Sequence, residues 1–550
     1  DAQESRGLGD VYKRQVFVMD IYEKLLKCAS VLVMLCSIFS AAARNFIHPG
    51  LLHSQDDLKR ITRLVKENSY PAMGSYDLLR KVPGASFEYE MKGPFENISR
   101  AGKYGYTKAP CESDCNAAYY NALMWNITGD VRHADKAMEI LRGYASTLQK
   151  IYGPDDPLCA GLQGFMLINA AEIMRYTYQD NQYVKGWSEA DTKSIEGMFR
   201  NVFLPVLTTF VQAKPYANGN WGGSVNKMVM AIGIFCNDEP LYNQAVDFFY
   251  NSRDNGSLPN YIAETGQLQE SGRDQAHCML GVGVLAELAE CAWKQGDNLY
   301  AALDNRIMKG YEYLSKVNLG YTDVPFEVWK DATGKYCNWQ NMGEAELGKF
   351  RAVFEIAYNH YVERRGIAMP YTEKVLKRIR PEGIGWTCDN PGFGTLLFYL
   401  GKNEPVPLEG QISEQLKYGW KGWQIAAPDL EPVGNEFLLV NKGISMQKNR
   451  IHYNPSEFPY IKVTFSHKPE EVKDGWLRLS YSVQSAPEFW TFYEKDAVKV
   501  DGNTYWFAVK DARSNNGTLF GTRDRHISLL LDFGDIKAVG VESIVSESHL

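Results

Sequence analysis

Apolar residues recur at helical spacing from residue 54 to residue 379, whereas further along the chain they alternate with polar residues. Leu58, Ile61, Leu64 and Val65 form the first helical stripe. The same spacing predicts helices at 116–127, 130–148, 162–178, 190–212, 222–236, 239–251, 272–295, 298–316, 344–364 and 371–379. Many helices joined by short loops, without an exact repeat, favour helical hairpins arranged around a ring. The sequence therefore predicts a mainly α fold, an (α/α) toroid or barrel over residues 44–400.

The C-terminal part of the chain has the period of β-strands. Residues 401–429 are rich in Pro, Gly and Trp and are interpreted as a linker, and residues 430–550 are predicted to form an antiparallel β-sandwich. Five aromatic residues stand on its expected strands: Tyr460, Trp476, Trp490, Tyr493 and Trp506. We expect them to pack within an accessory domain, the alternative being that they bind sugar by stacking.

The N-terminus has the features of a secretory signal peptide. Two lysines follow Met19, residues 28–39 are apolar, and small residues precede a cleavage site after Ala43. This predicts a signal peptide at 19–43 and a secreted or periplasmic protein. Residues 1–18 are interpreted as a non-native leader. We expect no membrane span after the signal peptide, because no later stretch is judged apolar and long enough.

Charge and cysteine usage exclude some classes of partner. The net charge of −7 argues against nucleic-acid binding and requires a local basic pocket for any anionic ligand. Cys111 and Cys115 have a spacing that suits either a disulfide or half of a metal site. Since no second pair with zinc spacing accompanies them, we expect no metal and no cofactor.

A polar run, ESGRDQAH, precedes the apolar helix predicted at 272–295. If that helix begins near Ser271, then Glu270, Arg273, Asp274 and His277 lie on one face, and Ser271 with Asp274 resembles a capping box. A carboxylate, a guanidinium and an imidazole on one side are unusual for a surface helix. The alternative is a capped helix with an internal ion pair and a satisfied histidine.

Other patterns narrow the chemistry. His133 is expected at the surface and His360 in a structural role, which leaves His277 as the histidine beside a carboxylate and an arginine. No G-x-S-x-G elbow and no H-E-x-x-H motif is present, which weakens acyl transfer and metalloprotease chemistry. Carboxylate pairs for glycoside hydrolysis remain open, namely Glu112 with Asp114, Glu264 with Glu270, and Glu344 with Glu346.

Several separated motifs occur in an order that resembles a known family. These are AAYYNALMWNITGD, AGLQG, NAAEIMRYT, NGNWG, ESGRDQAH and YNHY. Over residues 50–400 the chain resembles the alginate lyase superfamily of helical-toroid polysaccharide lyases, closest to polysaccharide lyase family thirty-eight. Related alginate lyases carry adjacent Asn-Asn-His, whereas Trp221 follows Asn220 here. The histidine role must then come from elsewhere, and His277 is the natural supplier.

The resemblance implies cleavage of a uronic-acid polymer, most readily alginate, by β-elimination. His277 and a tyrosine are the expected acid–base groups, and Tyr336 is the tyrosine chosen. Asn220, with Asn218 as a second candidate, is expected to neutralise the substrate carboxylate, because charge develops there in the transition state.

Three further residues are expected to bind substrate. Trp221 offers a stacking platform, Glu270 assists if protonated or orients His277, and Arg273 either binds a carboxylate or pairs with Glu270. The alternatives are a lyase for another uronan such as glucuronan and a non-catalytic glycan-binding protein. The expected partner is an anionic polysaccharide, and the sequence leaves the oligomeric state open.

Overall fold

The computed structural model describes residues 44–181, 185–329, 331, 333–335, 338–401, 408–416, 423–425, 432–433, 436–439, 445–467, 477–483, 488–523, 525–533 and 539–550. Ile47–Leu550 form one compact unit, and a second unit, Asp1–Phe46, is described only over its last three residues. The predicted leader and signal peptide, 1–18 and 19–43, lie outside the described residues.

The described residues contain fifteen α-helices, numbered in chain order. They are α1 (Gln55–Lys66), α2 (Ala72–Leu79), α3 (Lys108–Thr128), α4 (Val131–Thr147), α5 (Asp156–Thr177), α6 (Glu189–Met198), α7 (Leu204–Gln212), α8 (Gly219–Phe235), α9 (Glu239–Asn251), α10 (Leu258–Tyr261), α11 (Gln275–Lys294), α12 (Ala302–Asn318), α13 (Glu355–Tyr358), α14 (Pro370–Ile379) and α15 (Gly394–Leu397).

The first helix shows how local sequence sets these boundaries. The Ser54 hydroxyl accepts from the Asp57 backbone N–H, and the Asp57 carboxylate accepts from the Ser54 backbone N–H, which forms a capping box. The apolar stripe that follows is buried at Leu58, Ile61 and Leu64. Spacing and cap therefore agree, and α1 begins where the sequence predicts.

Successive helices close into a ring. Helix α3 packs against α5, α5 against α8, and α8 against α11, while α4, α9 and α12 pack outside α3, α8 and α11. The ring continues through α13 and α15, and α15 contacts α1 and α2, which return to α3. Every residue of α8 is buried, as expected of an inner helix. The predicted (α/α) toroid is confirmed.

One predicted helix is largely absent. Residues 338–354 are not helical, and only α13 and a π-turn at Asn359–Arg364 form within the predicted 344–364 span. The non-helical segment instead lies against the start of α11. The Gly343 N–H donates to the Ser271 carbonyl at 2.8 Å, and the Gln275 N–H donates to the Ala345 carbonyl at 3.0 Å. These tertiary bonds replace helical ones, so the local pattern was misleading here.

The C-terminal part contains two antiparallel sheets. Strands β1 (Asn97–Ser99) and β2 (Lys150–Tyr152) belong to the helical region, and the others are β3 (Ser413–Gln415), β4 (Gln424–Ile425), β5 (Pro432–Val433), β6 (Glu436–Leu439), β7 (Ser445–Tyr453), β8 (Tyr460–His467), β9 (Arg478–Val483), β10 (Phe489–Tyr493), β11 (Lys499–Asp501), β12 (Thr504–Ala508), β13 (Arg525–Asp532) and β14 (Val539–Glu547). One sheet has the order β10-β9-β13-β7-β4, and the other runs β11-β12-β8-β14-β6-β5 with β3 also paired to β14.

Aromatic side chains fill the space between these sheets. Tyr481 lies 5.3 Å from Trp490 and 4.5 Å from Phe520, measured between ring centroids, and all three are buried. Trp506 is also buried, whereas Tyr493 is 38% exposed and Trp476 lies outside the described residues. The predicted antiparallel sandwich is confirmed. Strands β3 and β4 come from the stretch interpreted as a linker.

Two sequence expectations about the helical region change. Cys111 and Cys115 are buried with their Sγ atoms 3.8 Å apart, too far for a bond of about 2.05 Å, so they are not bridged. Helices α5 and α11 are long and apolar enough to span a membrane, although no such stretch was expected. Their most apolar windows are 94% and 83% buried, as befits inner helices of the ring.

Candidate active site

The NGNWG motif lies at the start of α8, where the sequence places it. Asn218 is the N-cap residue, although its side chain forms no cap hydrogen bond, and the Gly219 N–H donates to Oε1 of Gln269 at 3.1 Å. A Cβ at Gly219 would lie 2.4 Å from the Tyr261 ring. Only glycine therefore lets Tyr261, which precedes the polar run, lie against this helix end.

Asn220 is tied to the polar run through Glu270. Its Nδ2 donates to both carboxylate oxygens of Glu270 at 2.9 Å, while its Oδ1 has no hydrogen-bond partner among the described residues. Glu270 also accepts from the Tyr261 hydroxyl at 3.1 Å and from Arg273 at 2.8 Å. Asn220 is 1% exposed and Glu270 is fully buried. The structure thus brings three of the predicted residues together in one buried network.

The surroundings of Glu270 shift the pKa of its carboxyl in opposite directions. Burial raises the pKa of the Glu270 carboxyl, and the positive charges of Arg273 and His277 oppose that rise without cancelling it. As the structure stands, the Asn220 donors are used by Glu270. If the Asn220 amide were rotated by half a turn, its Oδ1 would accept a hydrogen bond from a protonated Glu270. Its NH₂ group would then point elsewhere.

His277 is held by a carboxylate that the sequence reasoning did not choose. Its Nδ1 lies 2.7 Å and 2.9 Å from the two Asp274 oxygens, and no hydrogen bond to its Nε2 is found among the described residues. The His277 side chain is 36% exposed, the most accessible of the predicted catalytic residues that the structure describes. A neutral imidazole with Nδ1–H directed to a carboxylate presents a basic Nε2.

The capping box predicted at Ser271 and Asp274 is wrong. Helix α11 begins at Gln275, and Asp274 is its N-cap, accepting from the His277 N–H at 2.8 Å. The Ser271 hydroxyl accepts from the Leu268 N–H in the preceding turn. Asp274 therefore serves two groups of His277, its backbone N–H and its ring. The S-x-x-D spacing was misleading because it suggested Ser271, and not Asp274, as the N-cap residue.

Two predicted residues are placed differently from a simple binding site. Trp221 is 9% exposed and stacks on Tyr216 with ring centroids 4.6 Å apart, so little of its face is available to a sugar. Tyr336 lies outside the described residues. Trp339, three positions later, packs so closely on Gly272 that a Cβ there would lie 2.4 Å from the Trp339 Cβ.

The other histidines of the helical region are structural. His133 is 6% exposed with Nδ1 2.7 Å from Asn121 Oδ1, so the expectation of a surface position is wrong. His360 is buried and stacked 3.8 Å from Tyr300, and burial lowers its pKa to about 3. His277 remains the accessible histidine of the described helical residues.

The carboxylate pairs have other partners. Asp114 accepts hydrogen bonds from the hydroxyls of Tyr89 and Tyr144, both at 2.8 Å, and from two backbone N–H groups. The Glu264 side chain is 92% exposed whereas Glu270 is fully buried. These environments give paired-carboxylate hydrolysis no support from either pair.

A second charged group comes from residues far apart in sequence. Arg100 pairs with Glu112 at 3.0 Å, and Arg351 pairs with Asp389 at 3.3 Å. Burial raises the pKa of Asp389, and the positive charges of Arg351, Arg100 and His277 oppose this rise. Glu112 of α3 and Asp389, in the turn before α15, are thus each held by an arginine from another segment. No sequence motif joins them, because only the ring brings their segments together.

A buried ion pair connects the two helices that carry the site. Lys227 of α8 lies 2.5 Å from Glu287 of α11, and Asn390 donates to the other Glu287 oxygen at 2.6 Å. Lys227 is 1% exposed and stands 4.1 Å from the centroid of the Phe165 ring. The pair fixes α8 against α11, and hence Asn220 relative to His277.

Residues 99–319 match the family model described as Alginate lyase, which confirms the resemblance over this region. No curated protein matches the chain. Solved structures also resemble the chain. The three compared below each have a TM-score under 0.5, so the fold is established by the helices and strands given above and not by these similarities.

Two of the three are named alginate lyase, and the third is named heparinase. Alginate lyase A1-III from Sphingomonas species A1 is 14% identical, with 63% of this chain and 95% of that chain covered, and a TM-score of 0.46. An alginate lyase from Bacteroides ovatus is 13% identical, with 64% and 100% covered, at 0.42. Heparinase III is 12% identical, with 91% and 93% covered, at 0.33.

Proposed function

From the match of residues 99–319 to the Alginate lyase family model, we propose that the protein is a polysaccharide lyase that cleaves alginate by β-elimination. The observation that carries the proposal is the Asp274–His277 pair beside the buried network of Asn220, Glu270 and Arg273. It supplies a positioned base next to a cation and an amide, the groups that removal of a proton beside a carboxylate requires.

His277 is proposed as the base. In β-elimination the C5–H bond of a uronate breaks, its proton passes to the base, a C4–C5 double bond forms, and the glycosidic oxygen leaves C4. With Nδ1 directed to Asp274, the Nε2 lone pair is available to take the proton. The Asp274 carboxylate then stabilises the imidazolium that forms.

Asn220 and Arg273 are proposed to neutralise the substrate carboxylate, where negative charge accumulates. Arg273 is 24% exposed in its side chain and keeps a fixed position through Glu270. In its protonated form Glu270 would donate to Asn220 Oδ1 and free the Asn220 NH₂ group for the substrate. Asn218, whose Oδ1 also has no partner among the described residues, is the second amide at this helix start.

Tyr336 is proposed to protonate the leaving oxygen. The support is its position in the chain, because the described residues that follow it are hydrogen-bonded to the turn carrying Arg273 and Asp274. Tyr336→Phe removes the hydroxyl proton and keeps the ring, so it tests this role without a large change in packing. Glu270 completes the proposed group by positioning Asn220 and Arg273, whereas Trp221, buried against Tyr216, is not proposed to stack on the sugar.

The sequence of residues 19–43 supports export, and we propose that the mature enzyme is secreted or periplasmic. Alginate is a polymer too large to enter the cytoplasm intact, so an exported enzyme can reach it and location and substrate agree. N-terminal sequencing of the protein recovered outside the cytoplasm tests this, and a mature chain that retains residues 19–43 would contradict it.

The activity is tested with a panel of alginate, glucuronan and a neutral polysaccharide. Cleavage of alginate should generate ultraviolet absorbance from the new C4–C5 double bond, and the His277→Ala variant should generate almost none. Absorbance with glucuronan alone would redirect the proposal to that uronan. New reducing ends without absorbance would indicate hydrolysis, and binding without cleavage would indicate a glycan-binding protein.

A further inference from the structure

The turn between α14 and α15 carries an indole that no packing role explains. Trp386 is 59% exposed, although tryptophan is usually well buried. Its ring lies over the Arg351 guanidinium, with the carbon of that group 4.9 Å from the ring centroid. One face of the indole is therefore covered by a cation and the other is open to solvent.

The backbone around this indole is firmly anchored. The Asp389 N–H donates to the Trp386 carbonyl at 2.9 Å, and Asn116 Nδ2 donates to the Thr387 carbonyl at 3.0 Å. The Cys388 thiol donates to the Glu112 carbonyl at 3.3 Å. Two of these bonds reach α3, an inner helix of the ring. An exposed aromatic ring on such a turn keeps its orientation, which lowers the entropy cost of binding a ligand against it.

Trp386 lines one of two neighbouring hollows. One cavity of about 310 Å³ is lined by Trp386, Arg351 and Ile384, and another of about 620 Å³ is lined by Ile384, Asn116 and Tyr89. Ile384, itself 55% exposed, lines both cavities. Both volumes fall in the range of small-ligand sites. A chain of sugar units that occupies both hollows would cross the ridge formed by Ile384 and Trp386.

The cation under the indole is itself held in place. Arg351 pairs with Asp389, three residues beyond Trp386, at 3.3 Å. The same short turn thus carries both the open indole and the carboxylate that positions its cation.

We propose that Trp386 is a substrate-binding residue that stacks on a pyranose ring of the polysaccharide, at a subsite remote from the bond that is cleaved. The apolar C–H face of a pyranose suits an indole face, and the Arg351 cation on the opposite face holds the ring in place. This inference rests on the proposed lyase function, since it assigns a further contact with the same substrate.

The test compares Trp386→Ala and Trp386→Phe with the wild-type protein on polymer and on oligosaccharides of increasing length. Trp386→Ala should raise KM for the polymer about 10-fold with kcat within about twofold, as expected when an aromatic anchor that binds ground state and transition state equally is removed. Trp386→Phe should recover much of this loss. The shortest oligosaccharides that are cleaved should show little difference, because they do not reach the ridge.

Phe489→Ala is the matched control, since Phe489 is an aromatic residue 48% exposed on β10 of the sandwich. It should leave KM for short and long substrates unchanged. A KM for Trp386→Ala that equals the wild-type value at every length would overturn the proposal. An equal loss at every length, with a lowered melting temperature, would show that Trp386 is structural and would overturn it too.

Failure of the lyase function is distinguishable from failure of this subsite. If the wild-type protein yields no unsaturated product from any uronan, the lyase function is rejected, and the subsite is then judged by electrophoresis in gels containing acidic or neutral polysaccharides. Trp386→Ala that is retarded less than the wild type supports the platform. Equal retardation in every gel rejects it.

Discussion

The substitution of Asp274 by Asn separates the two tasks of this residue. In the structure Asp274 accepts from the His277 backbone N–H at 2.8 Å and faces the His277 ring at 2.7 Å and 2.9 Å. Asn has an oxygen that caps a helix as well as Asp does. It lacks the negative charge that stabilises a protonated imidazole, and its NH₂ group favours the wrong ring tautomer. The helix start should survive while the base is lost.

The structure gives a magnitude for each effect. Because the cap is retained, the free energy of unfolding of Asp274→Asn should stay within about 1 kcal/mol of the wild-type value. Turnover should fall by roughly 10²–10⁴-fold, the usual contribution of a positioned acid–base group. Asp274→Ala is the matched variant, because it loses the cap as well and should be less stable by a further 0.5–2 kcal/mol, or about 1 kcal/mol typically.

The pH dependence provides a second readout. Burial alone would raise the pKa of Asp274, but the hydrogen bonds from His277 and the charges of His277 and Arg273 outweigh it and hold that pKa below its ordinary value. The stability that Asp274 contributes is thus present above its ordinary pKa and is lost as pH falls through the lower folded-state pKa. Asp274→Asn should flatten the unfolding free energy over that acidic window.

The assay is initial-rate measurement by absorbance, together with thermal unfolding followed by circular dichroism. A kcat for Asp274→Asn within about threefold of the wild-type value, alongside an inactive His277→Ala variant, would show that Asp274 only caps α11. The reasoning about the base would then be refuted, although the cap would stand.

Three further predictions concern the buried polar groups. Asn220→Ala should lower kcat on alginate by about 10²-fold or more with a smaller change in KM, and a change in KM alone would make Asn220 a ground-state binding residue. Lys227→Met should cost about 3–5 kcal/mol in the free energy of unfolding measured in urea, because Glu287 is left buried without its partner; Lys227→Met combined with Glu287→Leu should recover most of it, and an additive loss would contradict the pairing. Burial and the nearby Glu355 charge raise the pKa of Glu382 to about 8, so its stabilising contribution is present below its ordinary pKa and is lost as pH rises through about 8. Glu382→Gln should remove that loss in melting temperatures measured from pH 6 to pH 9, as the matched amide stays neutral, and an unchanged slope would show that other groups cause it.

Several features were determined by the sequence alone. The spacing of Leu58, Ile61 and Leu64 placed α1, and the alternation around Ile461 placed the sandwich strands, because each pattern states which face of an element must be buried. The polar run identified Arg273 as a partner of Glu270, since residues three apart meet on a turn or a helix whatever surrounds them.

The tertiary structure decided the rest. It placed Asn220 against Glu270 across 50 positions and Arg351 against Asp389 across 38, distances in sequence that no local rule relates. It also replaced the helix expected at 344–354 with a segment bonded to the start of α11. It made Asp274 rather than Ser271 the N-cap of that helix, and it placed Asp274 rather than Glu270 against the His277 ring. Local periodicity specifies which face of an element is buried. The partners of a polar side chain depend on which elements the closed ring brings together, because a buried donor or acceptor must find its hydrogen bond within the fold.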